Sequence, residues 1–519
     1  MWGLLNCMAM KHVPATAETI YDIAIIGGGI NGTAIARDAA LRGLNVYLCE
    51  KDDLASATSS ASSKIAHGGL RYLETYEFSM VRKALREREV LLNIAPHLVT
   101  PMGFILPHAH HLRPRWLIRL GLFLYDNLYR SKRIPRAEAV DFQGTAAGRP
   151  LKDQYKKGFI YGDGWADDAR LVTLNAVDAA ERGATIMPRT TCTQASHDGK
   201  AWQVTTLSQR ASGESVEHIV RTKTLVNAAG PWAESFLKGV SLKQESKRLT
   251  LVKGSHIVLP RLFAHQSAYT LQTEDGRVVF AFPYEGQFTL IGTTDTPHEG
   301  NPADARADEA EIEYLCHVVN QYFRKEITPG DVVWSYSGVR PLIDDGDGNA
   351  SKASRDYSLK LSNQLPLLSI WGGKLTSHRQ LAEDAVNKLL PLLGVNTPCT
   401  TATTPLPGGD VAPEDLPGLM RALQREHPWL SAGTASRLVH AYGSRAAGIF
   451  SGTDNRHELG MHFGGGLYQP EVDYLIEHEW ARSADDILWR RSKLGLHTSL
   501  ADQTALKNYI NEKKAPPHD

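Results

Sequence analysis

The pattern of apolar and polar positions divides the chain into distinct blocks. Tyr21 to Gly27 is a short apolar run, rich in isoleucine, that ends in glycines. A run of that length bounded by turn residues predicts a strand buried on both faces. Asn31 to Arg42 then follows helical periodicity, with alanines at packing positions and Gly43 as a stop. Leu44 to Glu50 repeats the strand pattern. Together they make one β-α-β unit. Similar buried strands are expected far downstream, at Thr224 to Ala229 before Gly230-Pro231, and at Pro366 to Ile370 before Gly372-Gly373. Between them, alternating segments predict antiparallel strands at Ala201 to Leu207, His256 to Pro260, Val278 to Phe282 and Phe288 to Gly292. A nucleotide-binding lobe is therefore assembled from remote pieces, with a second lobe inserted. After Pro405-Leu406-Pro407-Gly408-Gly409, Leu416 to Tyr442 and Glu471 to Leu494 read as amphipathic helices. Lys513 to Pro517 reads as a frayed tail.

Composition narrows the class. With 519 residues, two or three lobes are expected. Lys+Arg and Asp+Glu both total 57, a balance that argues against bulk nucleic-acid binding. The cysteines Cys7, Cys49, Cys192, Cys316 and Cys399 are scattered and never in CxxC spacing, so neither a disulfide framework nor a metal site is expected. No stretch reaches the roughly 20 apolar residues of a bilayer span. Met1 to Met10 lacks the features of a signal peptide, and residues 1–20 read as a disordered extension.

The chemistry begins at Gly27-Gly28-Gly29-Ile30-Asn31-Gly32, a G-x-G-x-x-G that follows a strand and opens a helix. Gly27 makes the tight turn, Gly29 admits a pyrophosphate, and Gly32 lets helix and strand pack closely. Glu50 ends the next strand 18 residues after Gly32, where an acid accepts hydrogen bonds from a ribose. The acid favours an unphosphorylated ribose, so FAD or NAD. Leu54 to Gly69, LASATSSASSKIAHGG, is rich in small hydroxyl residues and glycine. By composition alone it matches a flexible linker. Placed after the β-α-β unit, it is suited to line a pyrophosphate and an isoalloxazine ring.

Several motifs occur in order. They are Gly27 to Gly32, Asp53 to Ser60, His67-Gly68-Gly69-Leu70-Arg71-Tyr72-Leu73-Glu74, Lys253 to His256, Gly292 to Asp295, Tyr336 to Pro341 and Gly372 to Thr376. The helical part adds His478 to Trp480 and Asp485 to Arg491. Across Tyr21 to about Leu496 this series resembles the FAD-dependent (aerobic, respiratory) glycerol-3-phosphate dehydrogenase family. Ser377-His378-Arg379 departs from the Thr-Tyr-Arg frequent there. The resemblance implies an α/β fold: a two-dinucleotide-domain (Rossmann-like) FAD-binding lobe, an inserted antiparallel β substrate lobe and an α-helical C-terminal domain. The expected FAD lobe covers about 21–95, 160–250 and 338–395, the substrate lobe about 96–159 and 251–337, and the helical domain 405–519. Candidate cofactor contacts are Gly27, Gly28, Gly29, Ile30, Asn31, Gly32, Glu50, Lys51, Thr58, Ser59, Ser60, Ser62, Ser63, His67, Gly68, Gly69, Leu70, Ala229, Gly230, Gly338, Gly373, Lys374, Leu375 and Thr376.

Oxidising a secondary alcohol with a flavin requires a hydride acceptor, a base for the hydroxyl proton, and cations to hold a phosphate. Guanidinium groups suit oxyanions through paired donors. Arg71, Arg340, Arg355 and Lys374 are the candidate cations, with Tyr72 as a hydroxyl donor. His67 and His256 are the candidate bases. Catalytic roles are expected for His67, His256, Arg340 and Lys374. A lone arginine or histidine is more often a structural partner, so each must be brought to one place by the fold.

Arg113 to Arg136, RPRWLIRLGLFLYDNLYRSKRIPR, mixes cations with Trp116, Leu120 and Phe123. It suits a helix lying in a membrane interface, which is favoured over the alternative of an internal amphipathic helix. With the resemblance it implies a peripheral, monotopic protein at the cytoplasmic face of the inner membrane. sn-Glycerol 3-phosphate is then the implied donor, ubiquinone or another quinone the acceptor, and a homodimer one use of the C-terminal domain. The alternatives are an oxidase using oxygen, an amine oxidase related to glycine or sarcosine oxidase, and a non-catalytic flavoprotein.

Overall fold

The computed structural model describes residues 19–109, 113–210, 213–239, 249–343, 356–453 and 455–514. The first sheet is built on strand β1 (Ile20–Ile26), helix α1 (Ile30–Leu41) and strand β2 (Val46–Glu50). Its order is Ser358–Leu361, Leu367–Trp371, Ser215–Asn227, β1, β2, Thr185–Pro188. The four inner pairings are parallel, and Ser358–Leu361 adds an antiparallel edge. Ile23 and Ile25 of β1 are fully buried beneath α1, in a core shared with helices Asp168–Glu181 and His378–Leu393. Burying each such side chain stabilises the fold by about 1.5–3 kcal/mol. The opposite face is covered by Tyr47, Trp202 and Leu237.

The second sheet is mainly antiparallel. It runs Thr296–Pro297, Leu249–Pro260, Phe288–Gly292, Val278–Tyr284, Ala268–Gln272, Val99–His108, Lys157–Ala166, Ile65–Ala66, with Trp334–Ile343 also paired to Leu249–Pro260. Its boundaries correct those expected from sequence. Lys157–Ala166 pairs along its length with Val99–His108, so residues 160–166 belong to this sheet and not to the first. Trp334–Ile343 is one unbroken strand, and the boundary expected at 338 falls inside it. Ile20, expected in the N-terminal extension, pairs with Arg221. Residues 1–18 of that extension lie outside the described residues.

The C-terminal part has its own apolar core, including Leu438, Tyr442, Phe450, Phe463, Leu475 and Ile487. The long helix expected over Leu416–Tyr442 is two helices, Leu416–Glu426 and Ala432–Tyr442. Pro428 breaks it, because proline lacks the N–H and forces its predecessor out of helical geometry. Ser431 then caps the second helix by accepting from the Thr434 amide. The Glu471–Leu494 expectation also divides. Helix Gln469–His478 stops before Trp480, at φ +56°, and Asp486–Arg491 forms a separate π-helical turn. Lys513 is not frayed: it lies in helix Leu500–Lys514, with its Nζ 3.2 Å from Asp473. Ala515 to Pro517 lie outside the described residues.

Buried and partly buried ion pairs dock this domain on the first lobe. Arg170 pairs with Glu479, Arg189 with Asp486 at 2.7 Å, and Arg491 with Asp53 at 2.7 Å.

Candidate active site

Three strands of the first sheet end side by side in glycine-bearing turns: Gly27 after β1, Ala229-Gly230 after Ser215–Asn227, and Gly372-Gly373 after Leu367–Trp371. Ligands bind at this carboxyl edge of a parallel sheet. Gly27, at φ +116°, lies so close to the second turn that a Cβ would fall 2.5 Å from the Ala228 carbonyl. A Cβ on Gly32 would lie 1.9 Å from the Gly27 carbonyl oxygen, so only glycine lets α1 start here. The Glu50 carboxylate accepts from the Gly28 amide at 2.7 Å and from the Asp52 amide at 2.9 Å. Burial pushes its pKa up, and these two amides oppose that.

The hydroxyl-rich segment follows. Ser59 Oγ accepts the Ile30 amide at 3.0 Å, at the start of α1. Thr58 donates to the Val339 carbonyl at 2.7 Å, and Ala61 packs on Gly338 where a Cβ would come within 2.9 Å. The segment therefore spans from the fingerprint to the second sheet. Asn31 donates to the Gly372 carbonyl at 3.2 Å, while its buried Oδ1 has no hydrogen-bond partner. An orphaned buried oxygen beside a glycine cradle is a site prepared for a ligand's donors. Helix start, acid, hydroxyl segment and glycine turns all fit an extended dinucleotide.

On the far side of that segment lie the two adjacent strands Leu249–Pro260 and Trp334–Ile343. They carry His256 opposite Tyr336, and Val252 opposite Arg340. The His256 ring stacks on Tyr336 at 4.8 Å and is confined against Gly292, where a Cβ would come within 2.0 Å. Its Nε2 meets Ser63 Oγ at 2.8 Å, and its Nδ1 has no partner. Burial, then Lys64 and Arg340, hold its pKa well below the ordinary range, so the ring is neutral at pH 7. Arg340 is about one-third exposed. It donates to Asp295 at 3.0 Å, to Thr293 Oγ1 at 3.0 Å and to the Thr294 carbonyl at 3.2 Å.

A second cluster joins the His67 and Lys374 motifs. The His67 amide donates to Thr376 Oγ1 at 3.1 Å. Lys374 Nζ lies 4.0 Å from the Tyr72 ring centroid, a cation–π contact, and 3.5 Å from Met80 Sδ. The Tyr72 ring lies against Gly69, whose φ is +80°. Gly68 donates to Tyr125 Oη at 2.8 Å; Tyr125 donates to Asp163 at 2.7 Å, which also takes Arg88 at 2.6 Å.

Not every candidate converges equally. Arg71 is exposed, and Leu70 is half-buried against apolar neighbours. Lys51 is exposed, paired with Asp52 and placed over the Trp232 ring at 4.7 Å. Arg355 lies outside the described residues. His378 is structural: it is buried, and its Nδ1 meets the Leu375 carbonyl at 2.6 Å. Sequence reasoning missed Tyr125, Asp163 and Asp168, whose bonds hold the glycine and serine motifs. Asp167-Asp168 before a helix carried only a capping signal, and Tyr125 was hidden inside an amphipathic pattern.

The comparisons agree with this architecture. Residues 22–379 match the family described as FAD dependent oxidoreductase, and residues 399–512 match the C-terminal domain of alpha-glycerophosphate oxidase. The chain is 48% identical to the glycerol-3-phosphate dehydrogenase of Pseudomonas aeruginosa over 516 residues, covering 98% of this chain and 99% of that one. It is 47% identical to the D-erythritol 1-phosphate dehydrogenase of Brucella abortus over 492 residues, covering 94% and 97%. The crystal structure of the Bacillus halodurans glycerol-3-phosphate dehydrogenase complexed with FAD superposes with a TM-score of 0.73 at 27% identity, covering 97% of each chain. Fingerprint, site and both domains together make this chain a member of the FAD-dependent glycerol-3-phosphate dehydrogenase family.

Proposed function

We propose that the protein oxidises sn-glycerol 3-phosphate to dihydroxyacetone phosphate and passes the electrons to a membrane quinone. The observation that carries this is the union of a neutral, confined His256 and a guanidinium, Arg340, on adjacent strands bound to the hydroxyl-rich segment. Bound FAD supplies the hydride acceptor. Arg340 and Lys374, with Arg71 and Arg355, hold the phosphate dianion and fix the carbon skeleton. His256, uncharged and with Nδ1 unpartnered, is the group suited to take the hydroxyl proton at C2, with Ser63 orienting the ring through Nε2. His67 is a second base candidate from the flavin side. Tyr72, beside Lys374, supplies a hydroxyl toward the substrate.

The near-equal identity to the D-erythritol 1-phosphate dehydrogenase favours a second reading, in which the alcohol is a longer polyol phosphate. Both readings are tested by the purified FAD-loaded protein, a redox dye and the two phosphates in parallel. Bleaching of the flavin by sn-glycerol 3-phosphate, with a higher kcat/KM than for D-erythritol 1-phosphate, is expected. The reverse order selects the second reading, and no reduction by either sinks both.

The quinone draws support from the helix Arg115–Leu128. Trp116, Leu120 and Phe123 are exposed on it at 68%, 47% and 60%, while Leu122 and Tyr125 turn inward. An apolar face of that size among arginines suits the boundary between headgroups and acyl chains. No helix among the described residues is long and apolar enough to cross a membrane. The proposed location is peripheral, at the cytoplasmic face of the inner membrane. Replacing Trp116, Leu120 and Phe123 together by serine should shift the protein from sedimenting with anionic vesicles to the supernatant. Undiminished vesicle binding by that variant removes the helix from the interface.

A further inference from the structure

None of the candidate site residues belongs to the helical C-terminal domain, yet its chain runs directly beneath the site. Lys493 follows the π-helical turn and is 5% exposed. Its Nζ lies 2.7 Å from Asp167 Oδ1 and 3.7 Å from Asp168 Oδ1. Asp168 is fully buried, and its carboxylate gathers the segment ahead of His67. It accepts from Lys64 Nζ at 2.9 Å on both oxygens, from Ser62 Oγ at 2.8 Å and from the Ser62 amide at 3.3 Å. Lys64 Nζ also donates to the Ser60 carbonyl at 3.1 Å. Between Ser62 and Lys64, Ser63 meets His256 Nε2 at 2.8 Å. Tyr336, stacked on that ring, donates to the Ser62 carbonyl at 2.8 Å. Linked side chains thus lead from the C-terminal domain to the His256 ring.

Lys64 and Lys493 face Asp167 and Asp168, two charges of each sign, and Glu285, whose pKa burial raises to about 7, acts on Lys493 as a third carboxyl group. In a dry interior a carboxylate left with half its cations turns toward the remaining one or draws in water. Either response displaces Ser62, and with it the turn that carries Ser63.

We propose that Lys493 is a positioning residue for the flavin site: from the C-terminal domain it fixes Asp168, and through Asp168 the Ser60–Lys64 turn that orients His256. The inference rests on the proposed function only in taking His256 as part of the reacting end. Its test reads the flavin, whatever alcohol the protein oxidises.

The experiment uses the full chain, stripped of flavin and titrated with FAD, in four forms: wild type, K493M, K493R and R445M. Arg445 pairs with Glu181 across the same domain boundary, with its side chain 28% exposed, and has no bond to the turn. K493M should unfold cooperatively, bind FAD about tenfold or more weakly and shift its visible absorption bands, as expected for a broken buried pair. K493R should recover much of both, and R445M should leave both at wild-type values. Wild-type FAD affinity and spectrum in K493M overturn the proposal. So does equal loss in R445M, which would mean that domain docking alone is responsible. Should K493M not fold, K493M/D167N removes one charge of each sign. A wild-type FAD affinity and spectrum in that double variant overturn the proposal equally. Failure of wild-type turnover with either phosphate would sink the proposed function without moving these flavin readouts.

Discussion

The two ends of the candidate site are built from different materials. The nucleotide end, Gly27 to Gly32 with Glu50, is made of backbone amides and the absence of side chains. The proposed reacting end, His256 with Arg340 and Tyr72 with Lys374, is made of side chains drawn from strands and turns far apart. The first kind tolerates no added atom, because its geometry is contact between main chains. The second tolerates changes of shape but not of charge, because Arg340 is held by the specific acceptors Asp295 and Thr293, and Lys374 lies over the Tyr72 ring. Mutations should therefore fail differently at the two ends.

The largest effect is expected at Gly32. An alanine Cβ there falls 1.9 Å from the Gly27 carbonyl, so either α1 or β1 must move. G32A should lose about 3 kcal/mol of stability, at the upper end for forced overpacking, and purify without flavin. A yellow G32A protein with a wild-type urea midpoint would show that the nucleotide end is not built on close main-chain contact. Next comes R340Q, which keeps hydrogen-bonding capacity and removes charge. Loss of a charge-assisted contact of about 1.5–3 kcal/mol should lower kcat/KM by roughly 10- to 200-fold. The flavin should stay bound with an unchanged spectrum. Loss of FAD from R340Q would erase the distinction between the two ends.

The smallest effect concerns pH, and it separates structural histidines from reacting ones. Burial, the largest cause, lowers the His378 pKa from its ordinary 6.5 to about 4; the Leu375 carbonyl opposes this and Arg379 and Arg37 add to it. Between those values the unfolded chain binds a proton that the folded one refuses. Stability is therefore fully present above 6.5 and falls as pH drops toward 4, by roughly 1.4 kcal/mol per pH unit for such a group. H378Q removes this titration, so its urea midpoint should fall less between pH 7 and pH 5 than that of the wild type. A parallel fall in the two proteins would clear His378 of the effect. Turnover at pH 7 should change little in H378Q, unlike at His256.

These contrasts track what was legible along the chain. The β-α-β unit was legible because its residues are contiguous and its constraints are local: Gly27 needs positive φ, Gly32 needs empty space, and the apolar run of β1 needs cover on both faces. The parallel strands near 226 and 368 were legible for the same reason. The break at Pro428 follows from local chemistry as well, although amphipathic periodicity hid it. Arg340 and His256 were candidates only through motif resemblance, since neither carries a local signal that separates it from an ordinary ion pair or core histidine.

Tertiary structure alone decided which polar groups share a buried space. Asp168 gathers Lys64, Ser62 and Lys493 from segments more than 100 residues away in either direction along the chain. Strand register set Tyr336 beside His256, and Tyr125 reached Gly68 from a helix whose sequence advertised only its outer face. The physical reason is range. Backbone conformation and hydrophobic periodicity act within a few residues, and the sequence by itself determined the fingerprint and the elements. Desolvated charges select partners by where packing brings them, so the candidate reacting end, and the contacts that join it to the C-terminal domain, exist only in the folded chain.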